Sequence, residues 1–107
     1  MAASEHALKI AKIAAQAAYD KKAEDIVLLD VSEHLVITDI FLIVSAVNER
    51  QVGAVVDAIE AALDLIDVDP IRREGNREGR WVLLDYFDIV VHVQQAEERS
   101  LYDLERL

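Results

Sequence analysis

Between Arg80 and Gln94 the chain reads Arg-Trp-Val-Leu-Leu-Asp-Tyr-Phe-Asp-Ile-Val-Val-His-Val-Gln. Two runs rich in branched and aromatic side chains stand so close together that they can pair only as an antiparallel hairpin. The strands are expected at Arg80–Asp85 and Asp88–Gln94, with Tyr86-Phe87 as a two-residue turn. Asp85 would then face Asp88, and the pairs 83–90 and 81–92 would follow. Side chains alternate along a strand, so each face can be read directly. Val82, Leu84, Ile89, Val91 and Val93 share one face, which is wholly aliphatic and therefore core. Trp81, Leu83, Asp85, Asp88, Val90, His92 and Gln94 share the other. Apolar area mixed with carboxylates suits a protein-binding surface. It equally suits a face half-covered by one of the chain's own helices, with the carboxylates at its wet edge. The opposed carboxylates favour the first reading, because like charges across a hairpin destabilise it unless a cationic partner relieves them.

The flanking segments supply the layers this hairpin needs. Ser4 can cap a helix running to about Asp20–Lys22, with Ala7, Ile10, Ala11, Ala14, Ala17 and Ala18 on one side. Ile26–Val31 and Asp39–Ala46 read as strands, the second apolar on both faces as a covered central strand would be. Asn48 opens a second helix with Gln51 completing a capping-box-like pair. Its core stripe is Val52, Val55, Val56, Ile59, Leu63 and Ile66. Asp69-Pro70 ends it and leads into an extended Ile71–Glu74. Gly75–Gly79 is a loop, Ala96–Arg99 a turn, and Ser100 caps a last helix over Leu101–Leu107. The order α-β-β-α-β-β-β-α in 107 residues predicts one domain over 1–107, of α+β (mixed α/β) class. Its single sheet would have about five strands, flanked by helices.

Twenty-one carboxylates against eleven basic residues leave a net charge of −10. That balance opposes binding to a phosphate backbone and steers the chain toward basic surfaces. The chain has no cysteine, which excludes a disulfide framework, a thiolate metal site and a thiol nucleophile. His6, His34 and His92 lack zinc-ligand spacing. Ser45 has no nucleophile elbow around it, and Gly75–Gly79 lacks the Lys-Ser/Thr of a phosphate-binding loop. Asp85 and Asp88 lack the preceding Gly-Ser of a nucleotidyltransferase metal site. The expectation is therefore a non-enzyme without cofactor or metal. With no basic start and apolar run at the N-terminus, and no apolar stretch of membrane-spanning length, it should be a soluble cytoplasmic domain. A nucleotidyltransferase-like enzyme and a purely homomeric interaction protein are the alternatives.

Several segments, taken in order, resemble the ribosomal silencing (Iojap-like) family along essentially the whole chain. They are Ile37-Thr38-Asp39-Ile40-Phe41, Arg50-Gln51-Val52, Glu74-Gly75, Gly79-Arg80-Trp81-Val82-Leu83-Leu84-Asp85-Tyr86, Asp88-Ile89-Val90-Val91-His92-Val93 and Arg99-Ser100-Leu101-Tyr102-Asp103-Leu104-Glu105-Arg106-Leu107. The resemblance implies a nucleotidyltransferase-like topology without catalysis. It also implies binding to the large ribosomal subunit at ribosomal protein number fourteen, where an occupant sterically blocks the small subunit and represses translation. The expected partner-binding residues are Trp81, Leu83, Asp85, Tyr86, Asp88, His92, Arg99, Tyr102 and Glu105. The basic cluster Arg72-Arg73, Arg77 and Arg80 has two readings, a minor contact to ribosomal RNA phosphates or neutralisation of nearby carboxylates, and the second is preferred. The last helix either borders the binding face or only seals the sheet. Self-pairing through the acidic–aromatic face or a sheet edge would make a homodimer off the ribosome. Where the family usually has Gly, this chain has Phe87 at the hairpin tip, which predicts a longer or differently shaped turn, since φ > 0 suits Phe poorly. Ala46 likewise stands where relatives tend to have Gly, and relatives commonly continue beyond Leu107 with Trp and a short tail.

Overall fold

Ser4 starts the first helix as its spacing predicts: its side chain accepts from the Ala7 amide at 3.0 Å, satisfying one orphan donor of the first turn. In the computed structural model, which describes residues 2–75 and 79–106, this helix, α1, runs Glu5–Asp20. It is followed by β1 (Glu24–Asp30), β2 (Ile40–Ala46), α2 (Glu49–Asp64), β3 (Arg72–Gly75), β4 (Trp81–Asp85), β5 (Ile89–Gln95), α3 (Ala96–Leu101) and a 3-10 turn at Leu104–Arg106. The class is mixed α+β, with one five-stranded sheet in the order β1-β2-β5-β4-β3. β2 and β5 pair in parallel at its centre, and the other neighbours are antiparallel.

The aliphatic faces of the strands meet the stripes of α1 and α2 in one core. Ala7, Ile10, Ala14 and Ala18 of α1 and Val52, Val55, Ile59 and Leu63 of α2 cluster with Leu42 and Val44 of β2, Leu84 of β4 and Val91 and Val93 of β5. Alanine on the contact side of α1 lets the two helices lie close and carries high helix propensity.

Both helices stop in the same way, through a non-glycine residue in the left-handed region: Lys22 at φ 64 after α1 and Asp67 at φ 60 after α2. In each case the next residue folds back, Ala23 donating to Ala18 O and Val68 to Leu63 O, a Schellman-like closure. This corrects the expected stripe of α2. Ile66 lies beyond the helix and is exposed, and Val68 packs against the core instead. Gln51, in the first turn of α2, joins the end of α1 to the start of α2. Its backbone amide is capped by the Asn48 side chain, its Oε1 accepts from Val47 N, and its Nε2 donates to the carbonyls of Lys21 and Lys22.

At the C-terminus the expectation of a turn at Ala96–Arg99 and a helix capped by Ser100 is overturned. The helix starts at Ala96 and has ended by Leu101, with Ser100 inside it. Glu97 and Glu98 in its first turn complement the positive end of the helix dipole, which explains why it begins earlier. In the loop expected at Gly75–Gly79, residues 76–78 lie outside the described residues. Gly75 suits the end of β3, because a Cβ there would press on the Val82 side chain at 3.0 Å and the Trp81 carbonyl at 3.3 Å.

Gln51→Ala removes three side-chain hydrogen bonds, two of which tie the end of α1 to α2, and should lower the free energy of unfolding by about 1–2 kcal/mol, measured by urea denaturation; an unchanged midpoint would show that the tie contributes nothing.

Candidate partner-binding face

The hairpin is one residue out of step with expectation. Trp81 pairs with Gln94, Leu83 with His92 and Asp85 with Val90, and Tyr86 N donates to Ile89 O, so Phe87 and Asp88 are the turn residues. Phe87 takes φ 76, with Asp88 N donating to Tyr86 O across it. The turn is thus short and primed despite the bulky residue, at a cost in backbone strain. Asp85 makes the shift favourable: its side chain accepts from Phe87 N at 2.9 Å and holds the tip in an Asx-type turn. The expected confrontation of Asp85 with Asp88 therefore does not occur. The face assignment survives, because moving the turn by one residue shifts each pairing by two and preserves alternation.

The second face therefore carries Trp81, Leu83 and Asp85 from β4 with Val90, His92 and Gln94 from β5. Register adds residues the hairpin alone could not show: Phe41, Ile43 and Ser45 of β2 lie beside Val90, His92 and Gln94. Arg72 and Glu74 of β3 lie beside Asp85 and Leu83. None of these side chains joins the core formed by α1 and α2, so both long helices cover the opposite face. The signal for the β2 contribution was present in its uninterrupted apolar run, but the pairing that uses it is tertiary.

At the centre of this face lies a small polar layer. Trp81 Nε1 donates to His92 Nδ1 at 3.1 Å. An indole nitrogen only donates, so Nδ1 must accept and the imidazole must be neutral with its proton on Nε2. The His92 ring meets the edge of Phe41, centroids 4.7 Å apart, and Nε2 is buried with no hydrogen-bond partner. Gln94 is wholly buried, and neither atom of its amide has a partner. Burial lowers the pKa of His92 to about 4.

The C-terminal segment borders and partly covers this layer. The Tyr102 ring lies 5.0 Å from that of Trp81. Arg99 donates from Nη1 to Ser45 Oγ at 2.8 Å and from Nε to Glu105 Oε1 at 2.9 Å. The structure thus gathers Trp81, Leu83, His92, Arg99, Tyr102 and Glu105, and places Asp85 further along the same face. Asp88 sits at the hairpin tip, 3.7 Å from His6 Nε2. Tyr86 stands apart from the expected group. It points into the core on the helix side and is 5 % exposed, where burial and the charges of Glu60 and Asp69 push its phenol above its ordinary range while Arg73 opposes them.

The basic cluster is largely engaged with carboxylates. Arg72 pairs with Glu74 at 3.0 Å and Asp85 at 3.4 Å, and Arg73 with Glu60 at 3.2 Å; Arg77 lies outside the described residues. Among the described residues no three His, Cys, Asp or Glu side chains are grouped to hold a metal ion, and no helix is long and apolar enough to cross a membrane.

The fold is thus a one-sided α+β sheet: α1 and α2 cover one face, and the other carries aromatic, acidic and polar side chains bordered by the C-terminal segment. Residues 4–107 match the family described as ribosomal silencing factor during starvation. The chain is 44% identical over 98 residues to the ribosomal silencing factor RsfS of Bacillus subtilis, spanning 92% of this chain and 83% of that protein. A Chromobacterium violaceum crystal structure superposes with a TM-score of 0.89 at 34% identity, covering 92% of this chain and 82% of that one. A Bacillus halodurans structure gives 0.82 at 35% identity, with 92% of each chain covered. The chain belongs to the ribosomal silencing factor family, whose named role is regulatory, in translation.

The neutral His92 predicts a pH dependence of stability. Its folded value of about 4 lies below the ordinary 6.5 of an unfolded histidine, so the unfolded state binds more protons between the two. The contribution is fully present above pH 6.5 and falls away as pH drops toward 4, by on the order of 3 kcal/mol. His92→Phe should lose that part of the acid sensitivity in urea titrations at pH 7 and pH 4.5; equal slopes in the two proteins would contradict the buried neutral imidazole.

Proposed function

We propose that this protein binds the large ribosomal subunit through the Trp81 face, at ribosomal protein number fourteen, and represses translation by filling space that the small subunit needs for joining. The observation that carries the reading is the one-sided packing of α1 and α2, which leaves Trp81 and Leu83 half-exposed on a face flanked by carboxylates. A half-exposed tryptophan held by a hydrogen bond is a rigid apolar anchor, the type of side chain that dominates interface energetics. A net charge of −10 favours encounter with a basic ribosomal protein surface. Asp88 at the tip, with its side chain 43% exposed, is a directing charge, whereas Asp85 is already engaged by Arg72 and the Phe87 amide. Repression in this reading needs only occupancy, with no bond made or broken, and works in the cytoplasm where ribosomal subunits join.

Trp81→Ala should weaken cosedimentation with purified large subunits by at least about thirtyfold, as expected when a hot-spot side chain is worth ~2 kcal/mol or more, while circular dichroism still reports the fold. Small subunits added afterwards should join in the presence of the variant and fail to join in the presence of the parent protein. Normal binding by a folded Trp81→Ala chain would remove this face from the mechanism.

A further inference from the structure

The residues from Ala96 onward form a thin layer. α3 has no buried residue and its N-terminus no side-chain cap, and the following 3-10 turn buries none either. Leu101 and Tyr102 are 74% and 51% exposed. Two side-chain contacts fix the segment to the sheet face, Tyr102 against Trp81 and Arg99 on Ser45 Oγ, with Glu105 holding the guanidinium from the other side. Nearby on the same face, His92 Nε2 and both polar atoms of Gln94 are buried and unpaired. Buried donors and acceptors without partners are unfavourable, so this part of the sheet face is not finished as a permanent core would be. Charge points the same way. Residues 96–106 hold four carboxylates (Glu97, Glu98, Asp103, Glu105) and two arginines, net −2, and lie on a chain that is already acidic.

We propose that residues 96–106 are an internal occupant of the docking face, a pseudo-ligand that a basic partner segment displaces. Its two anchors define the chemistry of that partner. An apolar or aromatic side chain takes the place of Tyr102 on the Trp81 ring, and an arginine takes the place of Arg99 at Ser45. A segment carrying more positive than negative charge complements this acidic domain better than residues 96–106 do. Arg99, Tyr102 and Glu105 are then competitors of the partner, not contacts to it. The inference rests on the docking role of the Trp81 face and adds the side chains recognised and the fact of competition.

The test uses full-length Tyr102→Ala and Arg99→Gln proteins, with Leu101→Ala as a control on the same helix, in equilibrium binding to purified large subunits. When a competent state is only partly populated, apparent affinity falls by that fraction, so releasing the segment should tighten binding by about three- to tenfold for the first two variants and leave Leu101→Ala unchanged. In the wild-type complex, amides of residues 97–106 should exchange faster than in the free protein. Weaker or unchanged binding by Tyr102→Ala and Arg99→Gln, or slower exchange of 97–106 in the complex, overturns the displacement while leaving docking intact. Failure of the wild-type protein itself to bind overturns the docking role and the displacement with it.

Discussion

The parallel pairing of β2 with β5 at the middle of the sheet and the burial of both long helices against one side of it are the constraint from which the rest follows. α1 and α2 each have one apolar stripe, and the two stripes meet the same aliphatic strand face. Once they are placed there, no long helix among the described residues remains for the other face. A central strand cannot be wholly wet, so β5 still buries Val90, His92 and Gln94, using strand neighbours and the short C-terminal segment as cover. The face is consequently half-finished: dry at its centre, half-exposed around Trp81 and Leu83, and charged toward the hairpin tip. A surface of this kind gains most from a partner that brings apolar area and positive charge together.

The polar groups at the centre of that face are unusual for an interior position. One hydrogen bond joins Trp81 Nε1 to His92 Nδ1, which ties the half-buried indole to the buried strand and restricts its orientation, while His92 Nε2 is left without a partner. Gln94 has no such compensation. An aliphatic residue at position 94 would suit a permanent core better, since an unpaired buried amide costs more than it returns. Its place beside Ser45 puts it next to the side chain that Arg99 holds.

Much of this was legible in the sequence because it depends on local chemistry. Ser4 and Asn48 as helix caps, the stripes of α1 and α2 up to Leu63, and the alternation that separates Val82, Leu84, Val91 and Val93 from Trp81, Leu83, His92 and Gln94 all follow from periods of 3.6 and 2 that a single segment carries within itself. The errors fall where local signals compete. Tyr86-Phe87 and Phe87-Asp88 were both available turns, and the Asp85 side chain decided between them by capping the Phe87 amide. Ile66 continued the helical period, but Asp67 turned left-handed and brought Val68 to the core instead. Ser100 resembled a cap, but the acidic first turn at Glu97 and Glu98 had already started the helix.

What the residues determined alone is the set of elements and the two-faced character of the hairpin, because alternation and helical spacing are properties of neighbours in the chain. Only the tertiary structure decided which face lies under the helices, that Phe41 and Ser45 join Trp81 and His92, and that Arg99 and Tyr102 lie over them. Those relations connect positions as far apart as Ser45 and Arg99, separated by 54 residues. No local period encodes the strand order or the path of the chain end that brings them within 2.8 Å.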